Sequence, residues 1–260
     1  PLAPVIAACA VALLAGCSGS SGTASSSSPS ASASAASWSY SGATGPANWG
    51  SLSPAYAACS DGKQQSPIDI VNPVPGKESA PTVSYHGDTG TVVNDGHKVE
   101  LLSPHGNTLT VAGTSYDLEQ VHPHFPAETL LAGKRYDSEF HWVHEAPGGK
   151  VAVIATFFTA GADNPAWQPF IDTALTLKNS VGTEKPTTAN WAKLITPNLA
   201  GSFSYEGSLT TPPCTEGLLW FVNPNPVTMS QNQINQLKSL YNNTDRPVQP
   251  LNGRQVTIVK

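Results

Sequence analysis

Hydrophobic and polar positions change their rhythm twice along the chain. It opens on an apolar run, passes through a polar but uncharged stretch, and then breaks into short segments that alternate or are rich in β-branched and aromatic residues. Seven of these segments stand out, at 91–93, 98–102, 108–111, 120–124, 138–144, 151–158 and 218–222. Gly, Pro and Asn-Gly-type turns separate them, which predicts strands. One segment has the helical period instead. Ser230 can cap it, Gln233 stands at the capping-box position, and Ile234, Leu237 and Tyr241 fall on one face. This predicts a helix over 230–241, with a shorter one within 164–177. The chain from 38 to 260 therefore reads as one mainly β domain with a few short helices. No internal repeat or second linker divides it. A Gly-, Ser- and aromatic-rich arm leads in, anchored by Trp38, Tyr40 and Trp49.

The N-terminal segments belong to a different class. No Asp, Glu, Lys or Arg precedes Asp61. The apolar run over 5–15 ends in Leu14-Ala15-Gly16-Cys17, and a short apolar run before small residues reads as an export signal. Leu-Ala-Gly-Cys also resembles the bacterial lipobox, in which Cys17 becomes the lipidated first residue of the mature protein. The alternative is a buried apolar segment carrying an incidental Cys. Residues 1–17 read as a truncated signal, since the chain starts at Pro1 without a basic segment. Residues 18–37 contain eleven Ser among twenty residues, the rest being Ala, Gly, Thr and Pro. Such a composition buries too little apolar surface to offset the entropy of ordering, so it predicts a tether. The expected location is exported, lipid-anchored on the outer face of a bacterial membrane or periplasmic.

Composition narrows the classes further. In 260 residues, 39% are apolar and only 12% charged, with net charge −5. The 13 Lys and Arg do not cluster, so no nucleic-acid partner is expected. No apolar run reaches the roughly 18 residues of a membrane-spanning helix. Coiled coils and polytopic membrane proteins are excluded on these counts. Of the four cysteines, Cys9 lies in the signal and Cys17 is the lipid site. Cys59 and Cys214 remain, and in an oxidising compartment they should pair; two reduced, buried thiols are the alternative.

The candidate chemistry lies in the histidines. Four of the seven fall between 122 and 144. His122 and His124 are two apart in a strand-like segment, so they share a face. His141 sits in the next β-like run and can join them if the strands pair. Three neutral imidazoles with one position left open make a catalytic zinc site. Gln120 precedes His122 by two and Glu139 precedes His141 by two, each able to accept an imidazole N–H and fix its tautomer. His144 lies three beyond His141, on the opposite strand face, and reads as structural. His86 and His105 read as exposed loop residues.

Together these residues resemble the α-class carbonic anhydrases, over essentially all of 38–260. The blocks that carry the resemblance are Gln64-Gln65-Ser66-Pro67-Ile68-Asp69-Ile70, Asn94-Asp95-Gly96-His97, Gln120-Val121-His122-Pro123-His124 with Glu128, and Glu139-Phe140-His141-Trp142-Val143-His144. Gly207-Ser208-Leu209-Thr210-Thr211-Pro212-Pro213-Cys214 and Arg246-Pro247-Val248-Gln249-Pro250-Leu251 complete the set. The resemblance implies a twisted, mostly antiparallel sheet of about ten strands with a conical cleft, and a Cys59–Cys214 bridge. It implies one Zn2+ per chain on His122, His124 and His141, with Gln120 and Glu139 as their acceptors. Thr210 is similar to the residue that orients the zinc-held hydroxide, with Glu128 accepting its proton, and Thr211 to a bicarbonate contact. Val143, Val153, Leu209 and Trp220 resemble an apolar wall for CO2. His97 resembles the proton shuttle, and Tyr40 a member of its water network. The implied reaction is reversible hydration of CO2 to bicarbonate and a proton.

Three residues depart from the family pattern. Pro123 between two ligands suggests a bulge or an unpaired backbone position. Thr129 stands where many relatives have His, which suggests a missing inner hydrogen bond. Asp95, two before His97, would raise the shuttle's pKa if close to it. Two other functions are compatible with such a chain: a non-catalytic binding module on the same fold, and a zinc hydrolase acting on esters. Retention of all three histidines argues against the first, and the apolar wall with His97 against the second.

Overall fold

A computed structural model describes residues 36–195 and 198–260. The expected signal over 1–17, Cys17 within it, and the expected tether up to residue 35 lie outside the described residues. Among the described residues there are fourteen strands: β1 (Asp69–Ile70), β2 (Val74–Pro75), β3 (Thr82–Ser84), β4 (Thr89–Asn94), β5 (Val99–Leu102), β6 (Thr108–Val111), β7 (Thr114–His124), β8 (Leu130–Leu131), β9 (Ser138–Ala146), β10 (Lys150–Ala160), β11 (Thr183–Thr188), β12 (Phe203–Ser208), β13 (Glu216–Met229) and β14 (Thr257–Ile258). Ten of them form one path, β11-β4-β5-β7-β9-β10-β13-β12-β14-β2, with β3 and β6 paired beside β7. The sheet is mixed. Most neighbours are antiparallel, but β10 and β13 at its centre run parallel, as do β14 and β2. β1 and β8 form a separate parallel pair.

Each predicted strand is present, usually longer than its sequence signal. β10 shows why its run of apolar residues scarcely alternates: both faces are buried. Val153, Ala155 and Phe157 join one apolar cluster with Ile68, Tyr205, Trp220 and Val222. Ala152, Ile154 and Phe158 join the other, with Phe140, Trp142 and Phe221. The second cluster is closed by two helices, Gln168–Thr176 through Phe170, Ile171 and Ala174, and Gln231–Lys238 through Ile234 and Leu237. Truncating a side chain such as Phe140 to Ala in this packing costs about 3–5 kcal/mol.

The second helix starts as its sequence predicts. The Ser230 hydroxyl accepts from Gln233 N–H at 3.3 Å, and Gln233 Oε1 accepts from Ser230 N–H at 3.1 Å. It ends earlier than predicted, at Lys238. Tyr241 leaves the helical face and donates its hydroxyl to Asn94 Oδ1. The aromatic arm is ordered as expected. Trp49 is fully buried and donates its indole N–H to the carbonyls of Ser39 and Thr44. Tyr56 reaches back to the carbonyl of Ala36 at 2.8 Å. Cys59 and Cys214 are disulfide-bonded, across 155 residues of sequence.

His144 points away from the other strand histidines and is fully buried. Its Nδ1 donates to the Ala152 carbonyl at 3.2 Å, so Nε2 accepts from the Tyr85 hydroxyl. Burial lowers its pKa to about 4, against small opposing effects of backbone carbonyls. An unfolded chain takes up this proton below about 6.5 and the folded chain does not, so stability is lost as pH falls from about 6.5 to about 4. The full span corresponds to about 3 kcal/mol. Urea unfolding at pH 7 and pH 4.5 should therefore show a stability difference about 2 kcal/mol smaller in His144→Gln than in the unaltered protein; an equal difference refutes the assignment.

Candidate functional site

Pairing of β7 with β9 builds the site. His122 stands directly opposite His141, His124 opposite Glu139 and Gln120 opposite Val143. Opposed residues share a face, as do residues two apart, so six side chains project together. β10 adds Val153 opposite Val143 and Ala155 opposite His141, and β13 adds Trp220 beside Val153. Of the two expectations for Pro123, a bulge is not found, and an unpaired backbone position toward β5 is. Pro123 stays in register opposite Phe140, and the irregularity falls earlier, between Leu118 and Gln120. Pairing with β5 involves only Gln120 and Val121, so the missing N–H of Pro123 breaks no ladder bond there.

Each imidazole has one nitrogen committed on its far side. His122 Nδ1 donates to Gln120 Oε1 at 2.7 Å, His124 Nδ1 to the Thr244 carbonyl at 2.6 Å, and His141 Nε2 to Glu139 Oε1 at 3.1 Å. The remaining nitrogens carry lone pairs and converge. One from each ring lies within 4.8 Å of the others, and His122 Nε2 and His124 Nε2 are 3.1 Å apart. Neither of that pair has a proton to offer. Nitrogens bound to one tetrahedral zinc stand about 3.3 Å apart, so the spacing fits the ion. Burial holds the pKa of His122 and His124 well below the ordinary imidazole value, and neighbouring positive charge adds to this. Neutral rings are what a metal requires.

A buried carboxylate lies behind the histidines. Glu128 is fully buried, and its Oε1 accepts the Arg246 backbone N–H at 2.7 Å. Burial raises its pKa well above the carboxylate range; the Arg246 N–H and the nearby Thr210 hydroxyl pull the other way. Thr210 is not in hydrogen-bonding geometry with it, because Oε2 has no partner. The Tyr40 hydroxyl is buried without a partner as well, and its pKa is raised by burial and then by Glu128. Arg246 itself is buried, with its guanidinium on Gln65 Oε1 and the carbonyls of Ser66 and Cys59.

Sequence comparison settles the family. The family described as eukaryotic-type carbonic anhydrase matches residues 44–260. The chain belongs to the α-class carbonic anhydrases. A carbonic anhydrase of Pectobacterium atrosepticum is 37% identical over 227 residues, covering 84% of this chain and 88% of that protein. The α-carbonic anhydrase of Thermovibrio ammonificans, solved with the inhibitor sulfanilamide, superposes with a TM-score of 0.78 at 38% identity, covering 86% of this chain and all of that one. Dioscorin, solved with ascorbate, has the same fold at a TM-score of 0.79 and 31% identity, covering 86% of this chain and 98% of that one.

In this carbonic anhydrase the cleft above the histidines is lined by Val143, Val153, Leu209 and Trp220 together with Gln120, Thr210, Thr211 and Lys98. The loop that carries Thr210 and Thr211 is tied at its end by the disulfide and by Gln65 Nε2 on the Cys214 carbonyl. His97 is half-buried, stacked on Trp38 with ring centres 3.8 Å apart, and its Nε2 is 3.0 Å from the Trp38 carbonyl. His86 and His105 are exposed.

The inner hydrogen bond expected to be missing at Thr129 is present. Its N–H donates to Glu139 Oε2 at 2.6 Å and its hydroxyl to Oε1 at 2.8 Å, so the short side chain reaches the carboxylate. Burial pushes Glu139 up, but His141 and Thr129 outweigh it and leave the pKa below its ordinary value. Asp95 is committed elsewhere: Oδ1 accepts the backbone N–H groups of His97 and Lys98, and Oδ2 accepts the Lys98 ammonium at 2.6 Å. Lys98 is the cleft residue that the histidine pattern does not point to, although the spacing Asp95, Lys98, Glu100 places opposite charges within reach. Replacing Gln120 with Leu leaves the His122 Nδ1–H without its acceptor. Chelator competition should show zinc affinity falling about 10- to 100-fold in that variant, and unchanged affinity refutes the role.

Proposed function

We propose that this carbonic anhydrase hydrates CO2 reversibly to bicarbonate and a proton, with one zinc ion held by His122, His124 and His141. The convergence of three lone pairs at the floor of a partly apolar cleft carries this reading. Zinc, when bound, supplies positive charge that favours ionised Glu128, and a water whose pKa falls to about 7, a magnitude for which carbonic anhydrase is itself the reference case.

The chain's own residues do the rest. Gln120, the Thr244 carbonyl and Glu139 hold the rings in the tautomer that presents a lone pair. Val143, Val153, Leu209 and Trp220 offer uncharged CO2 an apolar surface. Glu128 Oε2 is free to take the Thr210 hydroxyl proton. A threonine that gives its only proton to a carboxylate can act only as acceptor toward the cleft, so it orients a protonated oxygen there. Thr211 lies beside it to position bicarbonate. His97, with Tyr40 on the path, passes the proton to buffer, as imidazole chemistry suits; its ring must leave the Trp38 carbonyl to do so.

The exported setting is supported by the disulfide, which belongs to oxidising compartments, and by the lipobox-like Leu14–Cys17. No helix among the described residues is long and apolar enough to cross a membrane. Lipid on Cys17 would hold the domain at a membrane surface through the serine-rich tether. Cys17→Ser should move the protein from the membrane to the soluble fraction.

Stopped-flow CO2 hydration with zinc quantified in the same sample tests the enzyme. His122→Ala should reduce hydration to background. His97→Ala should lower it by about tenfold or more in buffer-poor solution, with recovery in imidazole buffer. Stoichiometric zinc without hydration refutes the reading. Chelation should also lower the melting temperature by about 10 °C, since a site filled at 1,000 times its Kd contributes about 4 kcal/mol. Sulfanilamide, the inhibitor bound in the Thermovibrio structure, marks aryl sulfonamides as probes that should occupy this cleft.

A further inference from the structure

Lys98 lines the cleft beside Gln120 and His122, and it does so as a fixed body. Its ammonium donates to Asp95 Oδ2 at 2.6 Å and to Glu100 Oε1 at 2.9 Å, with the side chain only 13% exposed. Asp95 is fixed in turn by the two backbone N–H groups on its other oxygen. Glu100 belongs to β5. An ordinary surface lysine swings among rotamers and yields to whatever enters. This one is held by two charge-assisted bonds, one to a carboxylate that is itself held and one to a strand residue. Neither carboxylate is among the cleft-lining residues, so the lysine alone faces the ligand.

Charge is not what Lys98 contributes to a ligand. Two of its three donors are spent within the protein, and the cluster of one ammonium and two carboxylates has a net charge of −1. What it presents is bulk. The cavity is about 90 Å³, well below the roughly 300–1,000 Å³ of pockets that take drug-sized ligands.

We propose that Lys98, pinned by Asp95 and Glu100, sets the width of the cleft and restricts it to CO2-sized substrates and single-ring ligands. The inference rests on the cleft being the zinc site proposed above and adds a specificity-determining residue to it. Lys98→Ala removes everything beyond Cβ and opens that wall. Lys98→Arg keeps both the bulk and the ion pairs. Glu100→Gln keeps the bulk but loosens one pin.

The test is calorimetric binding of benzenesulfonamide and naphthalene-2-sulfonamide to the zinc-loaded protein and its three variants, with thermal melts to verify folding. In the unaltered protein the fused-ring compound should bind the more weakly. Lys98→Ala should shrink the ratio of the two dissociation constants by about tenfold. Lys98→Arg should preserve the ratio, and Glu100→Gln should shift it less, in the direction of Lys98→Ala. An unchanged ratio in Lys98→Ala overturns the inference. If that variant does not fold, an unchanged ratio in Glu100→Gln overturns it. Binding of both compounds with unchanged ratios refutes only the role of Lys98, whereas binding of neither to protein carrying stoichiometric zinc refutes the site assignment and the inference with it.

Discussion

The pairing register of β7 with β9 is the constraint on which the site rests. It sets His122 against His141 and His124 against Glu139. A slip by one residue would turn every one of these side chains to the other face. That face is filled by Val121, Phe140 and Trp142, packed against Trp167 and Phe170. Slippage would thus bury imidazoles in an apolar core and push indole into the cleft. The apolar packing on one side of the sheet is what holds the polar geometry on the other. The one irregularity between these strands sits at Leu118–Gln120, before the first of the three histidines.

Buried ionisable groups depend on the same rigidity. Glu128, Glu139 and Arg246 are each almost wholly removed from water, and unpaired they would be costly. Arg246 joins its own segment to Cys59, Gln65, Ser66 and Glu128 through its backbone N–H and guanidinium. Burial lowers its pKa to about 10, which still leaves it charged at neutral pH. Parts of the chain far apart in sequence are thereby fixed around one carboxylate. The disulfide gives the Thr210–Thr211 loop a similar attachment to the N-terminal helices.

Local features of the site were legible and remote ones were not. His122 and His124 with Gln120, and His141 with Glu139, can be read because strand periodicity puts each group on one face of its own strand, and pairing of the two strands joins the groups. The third acceptor is the carbonyl of Thr244, 120 residues from His124, and no side-chain pattern announces a backbone oxygen. A threonine at 129 suggests a lost imidazole bond, but its hydroxyl and backbone N–H suffice to reach Glu139. Lys98 opens a strand-like segment, and the Asp95-Gly96 turn before it and Glu100 two residues on are the local signals of its two ion pairs, but neither spacing shows that its side chain faces the cleft. Among the strands, β12 carries only a short alternation, Phe203 and Tyr205 with polar residues between and after them. β11 offered no such signal, since five of its six residues are exposed.

β11 forms one end of the long strand path, and its composition bears on how the molecule behaves when crowded. An open strand edge is a template on which another chain can add by backbone pairing. Here the edge reads Thr-Glu-Lys-Pro-Thr-Thr, with Glu184, Lys185 and Pro186 all exposed. An incoming strand would have to strip water from two charges and meet a residue with no N–H to give. This boundary protects the molecule from sheet-to-sheet aggregation, which matters for a domain whose central strand β10 is apolar on both faces.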